Sequence, residues 1–175
     1  MRYANLESAD LSGADLSTSN LSRTQFQNSS FKDANLSDAN LDYTEFKDSD
    51  LSGANFTHAN LMESNIEGAN LINTCFKDAN LCEVNLTGIF LVNANLSGAD
   101  LTNAECIAAD FTGCDLSEAN LSNTYINHAD LSGANLKSTL NLTRDQVETA
   151  FINKETLLPD SIPIIWVSKT EYEFE

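Results

Sequence analysis

An apolar residue recurs at every fifth position between residues 4 and 138. These apolar centres begin at Leu6 and end at Leu136 without a change of register. They number 27, and 24 of them are Leu or Phe. The residue two places before each centre is small, usually Ala, and only Val84 and Ile89 are larger. A repeat of fixed period is the strongest guide to a fold that a sequence carries.

A period of five fits neither an α-helix nor a continuous strand. On a helix, residues five apart are rotated by about 500°, so the apolar column would wind around the helix. In a strand, an odd period sends successive centres to opposite faces. The pattern fits a short extended piece with two inward-facing residues, followed by a two-residue corner. It therefore predicts a polygonal coil whose stacked turns share a ladder of backbone hydrogen bonds.

Glycine marks the predicted corner. All seven glycines stand two places after a centre, at positions 13, 53, 68, 88, 98, 113 and 133. Glycine is favoured where the backbone needs a positive φ or a close approach. Proline would remove a donor from the ladder, and the repeat contains none.

The repeated phrase Ala-(Asp/Asn)-Leu-x-x resembles the pentapeptide-repeat protein family over about three quarters of the chain. The resemblance implies an all-β solenoid, a right-handed quadrilateral β-helix with four pentapeptides per coil. The 27 units would then form about seven coils and a rod of about 32 Å. We expect this β-helix over residues 1–138, and a short α-helical cap with an extended tail over residues 139–175.

The predicted cap is a short helix from about residue 143 to residue 152. Thr143 is a good N-cap, and Gln146 three residues later completes a capping box. The apolar face of this helix is expected to cover the last coil around Leu136. The residues that carry the predicted cap are Leu142, Thr143, Gln146, Val147 and Phe151.

The tail at residues 153–175 contains Pro159, Pro163 and an apolar run at residues 162–167. One interpretation is an extended segment that folds back along the rod or the cap. The other is a segment for dimerisation or partner binding. The sequence accordingly leaves a monomer and an end-to-end dimer open.

The chain is strongly acidic, with a net charge of −17 and a pI near 4.1. This charge argues against direct binding of nucleic acid through its phosphates, and it favours a protein partner with a basic surface. The N-terminus shows no secretory signal, and no window approaches the ~20 apolar residues of a membrane span. We therefore expect a soluble, cytoplasmic protein that does not contact a membrane, and the resemblance to the family implies a bacterial one.

The sequence predicts no catalytic, cofactor-binding or metal-binding residues, and hence no enzyme. The four cysteines lack ligand spacing, and Cys106 and Cys114 are predicted to be reduced core residues. His58 and His128 fall at corners, without a second ligand at a suitable spacing. The Asn or Asp before each centre is interpreted as bonding to local backbone, not as binding calcium.

Departures from the repeat mark a candidate partner patch, because the regular outward positions are polar. Ile72 and Val92 lie 20 residues apart, so four-unit coils would stack them vertically. Phe90 flanks the same centre as Val92, and Ile107 lies at a corner one coil along. The patch either binds a partner or consists of scattered surface hydrophobic residues.

Two functions follow from these observations. The first is a non-catalytic protein–protein interaction module or scaffold, built as a rigid acidic rod. The second is implied by the resemblance: a DNA-mimic protein that binds a type II topoisomerase (DNA gyrase) as an inhibitor or quinolone-protection factor. Net charge favours the second function. The absence of loop insertions and the mainly Leu centres of the middle coils argue against it.

Overall fold

The computed structural model describes residues 2–168 and 171–174. Parallel β-bridges join residues 20 apart, from Asn5 opposite Gln25 to Asn120 opposite Leu140. A separation of 20 residues means that each coil contains four pentapeptides and has four sides. The expected β-helix with four-unit coils is therefore confirmed.

Each pentapeptide has the same five slots, which we name from its centre. The small slot, two residues before the centre, and the centre itself face inward and are buried along most of the rod. The ladder slot, one residue before the centre, carries the β-bridges. The two corner slots follow the centre and form the turn to the next side.

The corner has a left-handed backbone in every unit. From Tyr3 to Ser138, each residue two places after a centre has a φ between 54° and 70°. The next small-slot N–H closes the turn by donating to the centre carbonyl, as from Ala9 to Leu6 at 3.1 Å. Glycine therefore marks the bend correctly, but most corners carry a non-glycine residue in a conformation that is unfavourable for L-residues.

Leu and Phe centres fill the interior of the rod. Phe26 stacks on Phe46 with ring centroids 5.4 Å apart, and Phe56 stacks on Phe76 at 5.1 Å. Centres one coil apart thus lie directly above one another. Because each coil can bury its centres only against its neighbours, stacking supplies the core.

Polar side chains in the ladder slot bond to the backbone, as the sequence analysis predicts. The Asp10 carboxylate accepts the Ser12 backbone N–H at 3.0 Å, and the same bond recurs along the chain. Asn amides also donate to the residue one coil below, as from Asn55 to Asn35 at 3.3 Å. These bonds explain the preference for Asn and Asp without a bound ion.

The β-ladder extends beyond residue 138, where the sequence pattern stops. Phe151 lies opposite Asp130, and Leu157 lies opposite Asn135. Helix α1, Arg144–Thr149, stands in place of one side of the last coil, between Leu140 and Phe151. It is shorter than the helix predicted to residue 152, because the C-cap Ala150 is already extended, with φ −99° and ψ 165°.

A β-hairpin closes the C-terminal end. Strand β1, Ile164–Trp166, pairs antiparallel with strand β2, Tyr172–Phe174. Trp166, Tyr172 and Phe174 pack against the core, and the Tyr172 hydroxyl donates to the Val147 carbonyl at 3.2 Å. The tail thus folds back onto the cap. Across the described residues, no helix has the length and hydrophobicity needed to cross a membrane.

Candidate interaction surfaces

Phe90 is the most unusual outward residue of the rod. It occupies a ladder slot, directly above Asn70 and below Asp110. Its side chain is 61% exposed, because the ladder slot points away from the core. A large aromatic ring therefore stands on a surface that is built mostly from polar side chains.

Ile72 and Val92 lie beside Phe90 on the same face. The Asn73 N–H donates to the Val92 carbonyl at 3.0 Å, which places the Val92 corner directly above the Ile72 corner. Ile72 is exposed and Val92 is half-buried. Ile107 lies across the corner on the adjacent face, above Thr87, because Gly88 N–H donates to its carbonyl. The structure thus groups three residues of the patch on one face and the fourth on the next.

Acidic residues flank Phe90 along its own column. Asp50 lies two coils below it, and Asp110 and Asp130 lie one and two coils above it. Around the rod, the 19 Asp and Glu of residues 4–138 divide as five, five, five and four among the four faces. The negative field therefore surrounds the rod and the patch.

The basic residues of the rod are partly paired with acids one coil away. Lys47 donates to Glu67 at 3.0 Å, and this hydrogen bond raises the pKa of Lys47. His58 lies between Asp38, at 3.3 Å, and Asp78, at 3.6 Å. Exposed pairs of this kind stabilise a fold only slightly. Because these pairs are few, most acidic side chains of the rod have no neutralising cation beside them.

The cysteines divide into buried and half-buried groups. Cys106 and Cys114 lie in the core, and burial raises the pKa of each thiol to about 12. Cys82 is half-buried, and its pKa is raised to about 11 mainly by desolvation. Thiols in these surroundings stay protonated and are poor nucleophiles. In the described part of the chain, no three His, Cys, Asp or Glu side chains form a group that could hold a metal ion.

The residues of the predicted cap have different roles. Thr143 caps α1, and the side chain of Gln146 returns a bond to the Thr143 N–H at 2.8 Å. Gln146 also donates to the carbonyls of Leu121 and Thr124, at 3.1 and 2.8 Å. It therefore ties the helix to the coil below.

The apolar part of the predicted cap is partly wrong. Val147 is fully buried and Leu142 packs against the core, but Phe151 is 59% exposed. Phe151 follows the helix and occupies a ladder slot, so its ring points outward. Ile152, its neighbour, is the centre that enters the core.

The end of the rod carries outward apolar side chains that the sequence analysis missed. Leu140, Phe151 and Leu157 occupy ladder slots of the last coil and are exposed. Leu140 keeps the 20-residue register, but Phe151 and Leu157 lie 21 and 22 residues after their partners, so extra residues hide the pattern there. The signal that could have found Leu157 is the phrase Thr156-Leu157-Leu158, which restores a small slot, a ladder slot and a centre.

A shallow cleft lies between α1 and residues 123–127 of the coil below it. It has a volume of about 370 Å³ and is lined by residues such as Tyr125, Thr143, Asp145 and Gln146. On one wall of this cleft, Gln146 donates its amide hydrogens to backbone carbonyls of the coil below, which holds α1 against that coil.

The family model described as Pentapeptide repeats matches the chain in eight copies, and the matched residues include 1–38, 19–57, 29–68, 39–78, 49–88, 74–105 and 104–140. These matches cover most of the chain. The chain belongs to the pentapeptide repeat family. No enzymatic family is indicated by the comparisons.

Solved structures of other pentapeptide repeat proteins match over most of their length. HetL, from the cyanobacterium Nostoc sp. strain PCC 7120, is involved in regulation of heterocyst differentiation. It is 28% identical, with 91% of this chain and 86% of HetL covered, at a TM-score of 0.58. A trypsin-treated variant of QnrB1, a plasmid-mediated fluoroquinolone resistance protein, is 20% identical. The match covers 92% of this chain and 84% of that chain, at a TM-score of 0.71. Among the curated proteins, none shows significant sequence similarity to this chain.

Proposed function

We propose that this pentapeptide repeat protein is a non-catalytic interaction module that binds another protein through the Phe90 patch, defined as Ile72, Phe90, Val92 and Ile107. One observation carries the proposal: Phe90 is 61% exposed in a slot that the repeat fills with polar residues at all other positions except Cys75 and Tyr125. An exposed aromatic residue beside other apolar side chains is a typical anchor of a protein interface.

The partner that fits this surface is a basic protein surface with an apolar pocket. The pocket would take the Phe90 ring, and basic side chains around it would face Asp50, Asp110 and Asp130. Opposite charges at the rim mainly speed association, whereas the buried ring mainly slows dissociation. Binding should therefore weaken as the salt concentration rises. The oligomeric state of the chain, monomer or end-to-end dimer, stays a prediction.

The test is quantitative capture of binding proteins from the native cell with the double variant Phe90→Asp, Val92→Ser. The matched control is Tyr125→Asp, because Tyr125 is also an outward aromatic residue in a ladder slot, 55% exposed. We expect the double variant to fold normally and to lose the partner that the control retains. Equal capture by wild type, control and double variant would contradict the proposal.

A second candidate function is mimicry of DNA toward a type II topoisomerase. Acidic residues on all four faces favour it, since the repeat has a net charge of −14 from 19 acidic and 5 basic residues. Over about 32 Å this is one charge per roughly 2.3 Å, close to the ~1.7 Å of duplex DNA. The QnrB1 match is below 25% identity and adds only the fold.

Binding to purified DNA gyrase and topoisomerase IV tests this second function. DNA mimicry predicts salt-sensitive binding and altered supercoiling. It also predicts that Phe90→Asp leaves binding intact, because the substitution adds negative charge. Loss of gyrase binding in Phe90→Asp would instead assign the interaction to the patch, and no binding at micromolar concentration would remove the second function.

A further inference from the structure

The ladder between consecutive coils uses three kinds of backbone hydrogen bond per side. The centre N–H donates upward, the second corner N–H donates upward, and the ladder-slot N–H donates downward. Phe46 is a typical centre, and its N–H donates to the Asn65 carbonyl at 2.7 Å. From Tyr3 to Leu121, these bonds form at every described position except one corner.

Four ladder bonds at that corner fall outside ordinary hydrogen-bond geometry, among residues that the structure describes. Two donate upward, from Ile66 N–H toward the Asn85 carbonyl and from Gly68 N–H toward the Thr87 carbonyl. Two donate downward, from the N–H groups of Asn85 and Phe90 toward the carbonyls of the small-slot residues below them. The bonds are weakened but the register is retained, since Asn85 still forms a β-bridge with Asn65 and Phe90 with Asn70. We call this corner the seam, between residues 64–69 below and residues 84–90 above.

Two further distances show that the coils are separated at the seam. Leu71 N–H, the next donor along, reaches the Phe90 carbonyl at 3.3 Å, a longer bond than the 2.7 Å of Phe46. A Cβ placed on Gly88, above Gly68, would meet no atom within 4 Å. A Cβ placed on Gly133, above Gly113, would meet Gly113 at 3.9 Å.

The seam coincides with the two enlarged small slots of the repeat. Val84 and Ile89 flank its upper side, where other units have Ala, Ser, Thr or Cys. Both side chains are buried, so their volume must be accommodated between the coils. Below Val84, the buried Ser64 hydroxyl has no hydrogen-bond partner among the described residues. Overpacking of a close-packed interior is relieved by shifts of the backbone.

We infer that the seam is a compliant joint at which the rod bends. A segment whose ladder bonds are weakened opens at a lower free energy than a fully bonded segment. The coils on either side keep complete ladders, so motion is concentrated at this one corner. The rod would therefore behave as two stiff pieces joined between residues 64–69 and residues 84–90.

The joint lies directly under the Phe90 patch. Ile72 belongs to the coil below the seam, whereas Phe90 and Val92 belong to the coil above it. Bending changes the spacing of these side chains, so a partner that contacts both coils selects one degree of bending. This coupling rests on the proposed function, but the joint itself does not.

Amide hydrogen exchange of the isolated protein, resolved by residue, tests the joint. The reporters are the N–H groups of Ile66, Gly68, Asn85 and Phe90. The internal controls stand in the same slots one coil higher, at Leu86, Gly88, Glu105 and Asp110. We expect the reporters to exchange at least about tenfold faster than their controls. Equal exchange within about threefold for all four pairs would overturn the joint.

The variant Ile89→Ala tests whether the enlarged small slots cause the joint. Removing the excess volume should let the coils approach, so exchange at Phe90 and Asn85 should slow toward that of Asp110 and Glu105. The matched control is Leu96→Ala, which removes a core side chain away from the seam. It should lower overall stability without slowing exchange at Phe90. If Ile89→Ala speeds exchange at Phe90 as Leu96→Ala does, enlarged small slots do not cause the joint.

The exchange experiment needs no partner, so its outcome is independent of the capture experiment. Fast exchange at the seam with unchanged capture by the Phe90 double variant retains the joint and removes the docking function. Slow exchange at the seam with lost capture removes the joint and retains the docking function.

Discussion

Two corners of the rod stack glycine on glycine, yet one is closed and the other is open. At the closed corner, Gly133 lies above Gly113 and Gly113 N–H donates to the Ser132 carbonyl at 2.9 Å. At the open corner, Gly88 lies above Gly68 and the corresponding bond falls outside ordinary hydrogen-bond geometry. The glycines themselves therefore do not determine whether the coils meet.

The difference lies in the buried residues on either side of each glycine. Ala129 and Ala134 flank Gly133, whereas Val84 and Ile89 flank Gly88. Small side chains let the upper coil settle at ladder distance, and the larger apolar side chains of Val84 and Ile89 hold it away. The size of the side chain in the small slot, more than the identity of the corner residue, therefore controls contact between coils.

The largest expected effect comes from placing a bulky side chain in a small slot beside the closed corner. Ala134→Ile should lower the free energy of unfolding by about 1–3 kcal/mol through overpacking, and further through loss of ladder bonds. Urea unfolding measures the change. The control is Thr112→Ile, in the first corner slot where Ile72 and Ile107 already stand, with an expected change within about 0.5 kcal/mol. If Ala134→Ile has an equally small effect, the size of the small-slot side chain does not control contact between the coils.

A smaller effect distinguishes the two types of glycine environment. Gly98→Ala and Gly88→Ala both place Ala at a positive φ, 69° and 65°, which costs about 1–2 kcal/mol. The new methyl of Gly98→Ala would also clash with the Asp78 carboxylate, whereas that of Gly88→Ala meets open space. We expect Gly98→Ala to lose about 1 kcal/mol more than Gly88→Ala.

A double-mutant cycle with Asp78→Ala checks the source of that excess. The cycle should recover most of the additional loss in Gly98→Ala, because the clashing group has been removed. Additive effects of the two substitutions would mean that the carboxylate does not press on the corner. Both thermal and urea unfolding can supply the free energies.

The smallest expected effect concerns pH and the regular ladder slot. Burial acts to raise the pKa of Asp100, but hydrogen bonds from the Thr102 hydroxyl and backbone N–H outweigh it, so the pKa is lowered. A lowered folded-state pKa stabilises the fold above the unfolded value of about 3.9, and the contribution disappears as pH falls through the folded value. Asp100→Asn keeps an acceptor oxygen but does not titrate. Wild type should therefore lose stability relative to Asp100→Asn below about pH 4.

Urea unfolding of both proteins between neutral and acidic pH measures that loss. The quantity of interest is the difference between their free energies of unfolding, because acidification also reduces the net charge of both. A difference that stays constant with pH would show that the Asp100 bonds do not favour the ionised carboxylate.

Much of the fold could be predicted from the sequence because every unit repeats one local rule. The centres, small slots and corners each follow from a single position in the phrase. Phe151 was misassigned because its spacing from Val147 fits a helix, whereas the chain leaves the helix at Ala150. The sequence cannot show where one extra residue enters a coil, because only the ladder reveals the new register.

The candidate surface was partly predictable for the same reason. Phe90 stands out from the sequence because its slot is almost always polar, and Val84 and Ile89 stand out because their slot is otherwise filled by small residues. Their consequence for the ladder was not predictable, since it depends on how far two coils can approach with both side chains buried. That distance depends on packing between two coils, so no single repeat unit determines it.

The most direct test of the account is a photo-reactive amino acid placed at position 90 in the native cell, compared with one at position 125. Both positions are outward ladder slots occupied by an aromatic residue, on different faces. The account predicts a discrete cross-linked protein from position 90, reduced at high salt, and none of it from position 125. The same cross-linked products from both positions, or no product from position 90, would contradict the claim that the protein works through the Phe90 patch.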